Sequence, residues 1–367
     1  MRFYIYLCFY ISLLGCNQSN TINTQSTKKN IVPFANYLKI YPHNNFTEVQ
    51  IISPTSNKIE KKFALIPNKK TITLSKEFEI IHTPIRNLVA LSSNQIGMLN
   101  ELSQIYKIKG VSNKKYIYNK TVLKLIRQKK INEFGSIEEI NPEKTNQLKC
   151  DVICYSGFGT PPPNERKFKR LNTACMPNYD WNEATPMGKL SWIYLYGYLT
   201  GKEKEAIRYV RNVNHKYNAL RLTSQKNHIG KTVLSGALIG DSWYLPAGKS
   251  YNATLLKDAN ANYVEQYSTG HGSVKLSLEK CLQKHKNAAV WINPGSSSLR
   301  QLSSQNKHYE KFNAFKNKSV YCYTHNANFF WENSTLLPHR LLQDLIILSH
   351  EKDPKNSELF FYKKLTE

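Results

Sequence analysis

The sequence predicts an α/β protein: two parallel-sheet lobes joined by a long rigid α-helix, with an N-terminal β extension. Three observations carry that expectation. First, an apolar strand at Leu88–Leu91 leads into a helical pattern through Ile96, Leu99, Leu102 and Ile105, then a second strand near Ile108–Val111. That β-α-β order marks a parallel sheet. Second, two later segments share one layout of short helix, buried strand and Gly-bearing loop. One runs Ser136–Ile140, Asp151–Tyr155 and Ser156–Gly159; the other runs Ser277–Cys281, Ala288–Ile292 and Asn293–Gly295. They read as equivalent points in two similar lobes. Third, an apolar helical stretch lies between them, suited to a stiff connector.

From the N-terminus, Arg2 precedes an apolar run from Phe3 to Leu14, too short to span a bilayer core of ~30 Å. The run closes on Leu13-Leu14-Gly15-Cys16, which resembles a bacterial lipoprotein signal. That resemblance implies cleavage before Cys16 and lipid on its thiol; an ordinary secretory signal with an incidental Cys is the alternative. Residues 1–15 are therefore expected to be a signal peptide. Residues 16–32 are expected to be a flexible tether, since the stretch is rich in Ser, Thr, Asn and Gln and has no apolar period. The mature chain belongs on this reading in the cell envelope, periplasmic and lipid-anchored to a membrane, where nucleic acid is not a partner.

Residues 33–184 form the expected N-terminal lobe with its β extension. Short β-type runs from Tyr37 to Ile66, such as Thr47–Ile52, are punctuated by Pro54 and Pro67. Residues 185–200 are the expected connecting helix, opened by Thr185-Pro186, with Pro suited to a first helical turn. Gly201 interrupts it, and helical spacing resumes through Ala206, Tyr209, Val213, Tyr217 and Leu220. Residues 201–367 make up the C-terminal lobe.

A hydrophobic content of 41% and an aromatic content of 12% are those of a folded chain rather than a disordered one. The net charge is +25, but its Lys and Arg are scattered, unlike a nucleic-acid footprint. A Lys- and Asn-rich composition also follows from AT-rich coding DNA; the functional alternatives are anionic lipid and an anionic ligand. Five cysteines follow Cys16: Cys150, Cys154, Cys175, Cys281 and Cys322. Cys150 and Cys154 share a predicted strand that separates their Cα atoms by roughly 13 Å, beyond disulfide reach. No Cys-x-x-Cys or paired Cys/His spacing marks a metal site, so buried free thiols are expected.

Several stretches then resemble a known family. They are Leu91–Leu99, Glu183–Trp192, Trp243–Tyr251, Phe330-Trp331-Glu332, and Leu337-Pro338-His339 through Asp344-Leu345-Ile346. In order and spacing they resemble the helix-linked (class III) ABC-transporter substrate-binding proteins for ferric siderophores, haem and cobalamin, in a Bacteroidetes-like lipoprotein branch. The likeness runs from about Pro84 to the C-terminus. It implies a non-enzymatic binding protein with one metal chelate in the interlobe cleft and no resident cofactor. It also implies one acidic residue on each lobe that docks into Arg pockets of the ABC permease. The matching positions are Glu138 and Glu279, with Glu139 an alternative to the former; without the family, each reads as a first-turn Glu complementing a helix dipole. Two departures touch the first lobe: Cys150-Asp151 replaces the usual Pro-Asp, and Pro161-Pro162-Pro163 stiffens the following loop.

Ligands of parallel α/β lobes bind outside the carboxyl ends of the strands. The loops expected there are Ser92–Asn94, Ser156–Gly159, Asp241–Tyr251, Asn293–Ser298 and His325–Trp331. Ser93, Asn94, Phe158, Trp243, Tyr244, Tyr251 and Trp331 in them, and Arg300 just beyond the fourth, are candidate contacts, with Phe329 and Phe330 beside them. Aromatic rings stack on flat apolar chelates, and Lys249 or Arg300 would meet ligand anions. His271, His325 and Tyr263 are conceivable axial ligands for haem iron. Two rival classes stay open: a surface lipoprotein that binds glycans through its aromatics, and a lipid-anchored hydrolase. The second lacks a Gly-x-Ser-x-Gly elbow, a His-Glu-x-x-His and a P-loop.

Overall fold

The computed structural model describes residues 29–68, 70–323 and 328–367. The signal peptide, Cys16 and His325 lie outside them. The tether was expected to reach residue 32, but the chain is already docked at Asn30. Its Oδ1 accepts the N–H groups of Val32 and Ile40, and Val32 is fully buried.

The β extension is a four-stranded sheet, β1 (Leu38–Pro42), β2 (Thr47–Ile52), β3 (Ile59–Pro67) and β4 (Glu79–Thr83), in that order. The first three strands pair antiparallel and β4 joins β3 in parallel. Period-two alternation places Val49 and Ile51 of β2 and Phe63 and Leu65 of β3 in the first lobe's core.

The first lobe carries β5 (Asn87–Ala90), β6 (Ile108–Val111), β7 (Asn132–Glu133), β8 (Cys150–Ser156) and β9 (Ala174–Asn178). All are parallel, in the order β7-β6-β5-β8-β9. The predicted β-α-β unit is β5, the helix Ser93–Glu101 and β6. Asp151, where the family pattern has Pro-Asp, fastens the start of β5 by accepting the backbone N–H of Arg86 and its guanidinium.

The second lobe carries β10 (Thr232–Ser235), β11 (Ala237–Ile239), β12 (Ser242–Pro246), β13 (Asn262–Tyr263), β14 (Ser273–Leu276), β15 (Val290–Ile292), β16 (Val320–Tyr323) and β17 (Tyr362–Lys364). Its main sheet runs β13-β10-β15-β16-β17, parallel except for β17. The other three strands form a small antiparallel sheet, β11-β12-β14. The strand order reverses beside β5 and β8 in one lobe and beside β10 and β15 in the other. These are the switch points at which doubly wound sheets open a crevice.

The connecting helix is corrected by the structure. Residues 185–200 form two short helices, Pro186–Leu190 and Ile193–Thr200, embedded in the first lobe. Thr185 caps the first by accepting the Gly188 N–H. Gly201, at φ 72°, closes the second in the left-handed conformation that glycine adopts freely. The connector is the next helix, Glu203–Gln225, 23 residues and about 34 Å long. Ala206, Val210 and Val213 enter the first core, and Tyr217 the second. Residues 193–199 are buried on nearly every side, so they are apolar without being a connector.

A second bridge lies in the short helix Phe330–Asn333. Glu332 is buried, and its Oε1 accepts the N–H groups of Tyr118 and Asn119 of the first lobe at 2.7 and 2.8 Å. At Gly97 the backbones nearly touch: a Cβ there would stand 2.0 Å from the Glu332 carbonyl oxygen. Leu336 packs in the first lobe's core, and its carbonyl accepts the Tyr209 hydroxyl from the connector.

All five described cysteines are free and buried, as expected. Burial pushes the thiols of Cys150, Cys154, Cys175 and Cys281 up to about 12. They stay protonated, and so unreactive, at about pH 8; maleimide should label the native chain at none of them and label all of them after unfolding. Glu332→Ala leaves two N–H groups without their acceptor and should lower stability by about 2 kcal/mol. Denaturant unfolding measures the loss, and hydrogen exchange should quicken at Tyr118 and Asn119.

Candidate functional site

Both switch points open onto one interlobe cavity of about 720 Å³, within the size range of small-molecule sites. Asn94 after β5 and Trp181, Asn182 and Glu183 after β9 come from the first lobe; Ser235 and Gly236 after β10 and Asn293 after β15 come from the second. Eight lining residues are aromatic: Tyr37, Trp181, Tyr244, Tyr251, Tyr323, Phe330, Trp331 and Tyr362. Phe330 stacks on Tyr323 at 3.8 Å, with Trp331 edge-on to both. The wall is thus a set of fixed flat faces interspersed with Asn and Ser groups.

Few charged groups stand at the cavity. Lys189 reaches across the lobes, its Nζ 4.0 Å from the centre of the Tyr251 ring, a cation–π contact. Burial pushes the Lys189 ammonium down, opposed by the nearby carboxylates of Asp180 and Glu183. Burial raises Asp180, against the Lys189 charge and the Asn94 amide, which donates to it at 3.1 Å. Burial also raises Glu183, which is countered by backbone N–H groups of Asn36 and Tyr37 and by the Trp192 indole. Burial raises the Tyr251 phenol as well.

Of the predicted contacts, Asn94, Tyr244, Tyr251 and Trp331 line the cavity. Trp243 does not. It is fully buried in the second lobe's core against Trp291, Tyr309 and Phe312, and its indole N–H is given to the Ser235 carbonyl. The expected loop Asp241–Tyr251 contains β12, and strand alternation sends Trp243 and Leu245 inward and Tyr244 and Pro246 to the cavity. Arg300 is likewise corrected. Ser298 caps the helix Leu299–Gln305, and Leu299 and Leu302 turn into the core. Arg300 is left exposed in a separate groove with Glu310 and Lys318.

Ser93 stands outside the cavity lining, donating to the Tyr116 carbonyl. Phe158 lies beside the lining, its ring 5.2 Å from that of Trp181. Lys249 is exposed and does not line the cavity. His271 does, with Nδ1 3.1 Å from the Lys249 carbonyl oxygen. Tyr263 is buried and gives its hydroxyl to the Pro246 carbonyl, which removes it as an axial ligand. Sequence reasoning missed Tyr37, Trp181, Tyr323, Tyr362 and Lys189. The first two follow or precede no recognised strand-end loop, and Lys189 sat in the presumed connector.

Glu138 and Glu279 are both exposed. Glu138 occupies the single turn Ile137–Glu139, where a hydrogen bond with Ser136 holds its carboxyl below the usual range. Glu139 is tied back, accepting the Ser136 N–H. Glu279 opens the helix Leu278–His285 and is held low by its own backbone N–H and Ser277. Ser277, although it lacks a capping-box partner, caps that helix by accepting the Lys280 N–H.

A larger cavity of about 950 Å³ lies in the first lobe alone, between the edges of β4 and β9. Phe78 is its one aromatic among the described residues, and it touches no switch point. Its lining gives a planar ligand little to stack on.

A family model described as periplasmic binding protein matches residues 88–327. An uncharacterized lipoprotein of Methanocaldococcus jannaschii is 26% identical over an alignment covering 96% of this chain and 90% of its own length. The periplasmic haem-binding protein HutB of Vibrio cholerae superposes with a TM-score of 0.57 at 15% identity, over 71% of this chain and 98% of that one. The periplasmic vitamin B12-binding protein BtuF of Vibrio cholerae gives a TM-score of 0.50 at 14% identity, over 72% and 96%. These solved structures share the fold. The archaeal relative lends no support to a Bacteroidetes-like branch.

The alternation along β12 has a direct test. Trp243→Ala should cost about 3–5 kcal/mol by opening the core. Tyr244→Ala should cost under about 1 kcal/mol, since surface truncations cost little. Chemical denaturation of the two variants separates the roles.

Proposed function

The chain belongs to the periplasmic binding protein family, and on that premise we propose that it is the lipid-anchored substrate-binding protein of an ABC importer. It captures a metal chelate (a ferric siderophore, haem or cobalamin) in the interlobe cleft and delivers it to the permease. The observation that carries this reading is the cavity at the two facing switch points, walled by eight aromatic residues from both lobes. A macrocycle or tris-chelate offers broad apolar faces, and rings already locked by packing stack on them at little entropic cost.

Capture requires no bond making. Asp180 and Glu183 are occupied with fixed donors and Lys189 rests on the Tyr251 ring, which suits holding a ligand rather than turning one over. Cys16 carries the lipid that keeps the receptor in the cell envelope. Glu138 and Glu279, exposed and ionised at neutral pH, present one carboxylate per lobe to Arg pockets of the permease, where charge-assisted pairing sets orientation and on-rate.

The test uses the chain from Ser19 onward, titrated with haem, vitamin B12, a ferric tris-catecholate and a ferric trihydroxamate. Tryptophan quenching and the visible spectrum of each chelate are followed together. One chelate should bind saturably at one to one, and Tyr244→Ala should weaken it roughly tenfold. Binding of none of the four, with binding of oligosaccharides instead, would overturn the reading in favour of the glycan alternative. With the cognate permease in vesicles, Glu138→Ala and Glu279→Ala should leave chelate affinity unchanged and cut delivery about tenfold or more.

A further inference from the structure

The family match begins at Leu88, after the whole N-terminal sheet, yet that sheet reaches the cavity. Tyr37, just before β1, and Pro54, in the turn between β2 and β3, both line it. We propose that the N-terminal sheet is a third wall of the binding site, holding an aromatic lip of Tyr37, Phe158 and Trp181 at the mouth of the cleft. The inference rests on the chelate-binding reading and adds where the outward part of the chelate goes.

Two polar links fasten the sheet to the first lobe. Glu183, 1% exposed, accepts the backbone N–H groups of Asn36 and Tyr37 at 3.0 and 3.1 Å, which fixes where Tyr37 stands. In the second link, the Tyr179 hydroxyl donates to Glu60 of β3 at 2.7 Å and accepts the Gly159 N–H at 3.2 Å. The loop around Phe158 is held on both sides, since the Gly157 N–H also donates to the Asn178 carbonyl at 3.1 Å. A Cβ at Gly157 would stand 2.5 Å from the Tyr179 ring, so the chain passes directly over that ring before Phe158. Gly159, at φ 83°, then turns it away.

The result is two large rings left in water side by side. Phe158 is 74% exposed and Trp181 44% exposed, with centroids 5.2 Å apart. Apolar rings held together in solvent by a rigid scaffold mark a contact surface rather than a packing residue. Trp181 also lines the cavity, so the lip continues the aromatic wall outward. The matching ligand feature is an apolar or aromatic face on the part of the chelate that projects from the cleft.

The test compares Phe158→Ala and Trp181→Ala with the parent chain from Ser19, using whichever of haem, vitamin B12, ferric tris-catecholate and ferric trihydroxamate the parent binds. Each variant should lose roughly tenfold or more in affinity, with its far-ultraviolet circular dichroism unchanged. In Trp181→Phe part of the ligand-induced quenching should vanish while most of the affinity remains. Unchanged affinity in both alanine variants would overturn the lip. A loss confined to delivery by the permease would overturn it too, by giving those rings to the permease. If the parent chain binds no chelate, the proposed function itself fails and takes the lip with it, an outcome distinct from parent binding with indifferent variants.

Discussion

The helix Glu203–Gln225 has to satisfy two hydrophobic cores at once. Ala206, Val210 and Val213 are buried in the first lobe and Tyr217 in the second, at helical spacing along one stripe. Turning one lobe against the other would bend that helix or expose part of the stripe, and either is costly in a close-packed interior. The helix Phe330–Asn333 adds a second point of attachment through Glu332 and the close backbone contact at Gly97. Two separated bridges oppose a hinge more strongly than one. The facing switch points, and the spacing of the aromatic walls between them, are inherited from this constraint.

Within that fixed cleft, the electrostatics follow from burial. Asp180, Glu183 and Lys189 are each pushed toward their neutral forms by desolvation; Asp180 is drawn back by the Lys189 charge and its hydrogen bonds, Glu183 by its hydrogen bonds, and Lys189 by the charges of the two carboxylates. The carboxylates also have structural duties: Glu183 fastens the N-terminal sheet, and Asp180 holds Asn94. Lys189 rests on the Tyr251 ring from the opposite lobe. The remaining surface is aromatic and amide, which favours shape and stacking over ion pairing as the basis of recognition.

Much of this architecture was legible in the chain because it follows short periods. The β-α-β unit from Leu88 to Val111, the buried strand Cys150–Ser156 and the Pro-led helix after Thr185 all announce themselves locally. Asn94, Tyr251 and Trp331 were found because they sit at helix starts. The errors share a different origin. Trp243 and Tyr244 are adjacent, and only pairing with β11 and β14 decides which faces the core. Arg300 was chosen for its charge just past the loop Asn293–Ser298, whereas the helix phase set by Leu299 and Leu302 turns it out. The connector was sought in the most apolar stretch, but a helix shared by two cores shows a stripe, and a helix sunk in one core is apolar throughout. Tyr37 reaches the cleft only through a bond to Glu183, 146 residues away in sequence. No local pattern encodes that.

Anomalous X-ray diffraction from the metal of a bound chelate tests the central claim most directly. The account predicts a single metal peak in the interlobe cleft, among Tyr244, Tyr251 and Trp331, with the two lobes in the same relative orientation as without ligand. A peak in the first-lobe groove beside Glu79 and Arg86, or a cleft that closes by rotation of one lobe about the helix Glu203–Gln225, would contradict it.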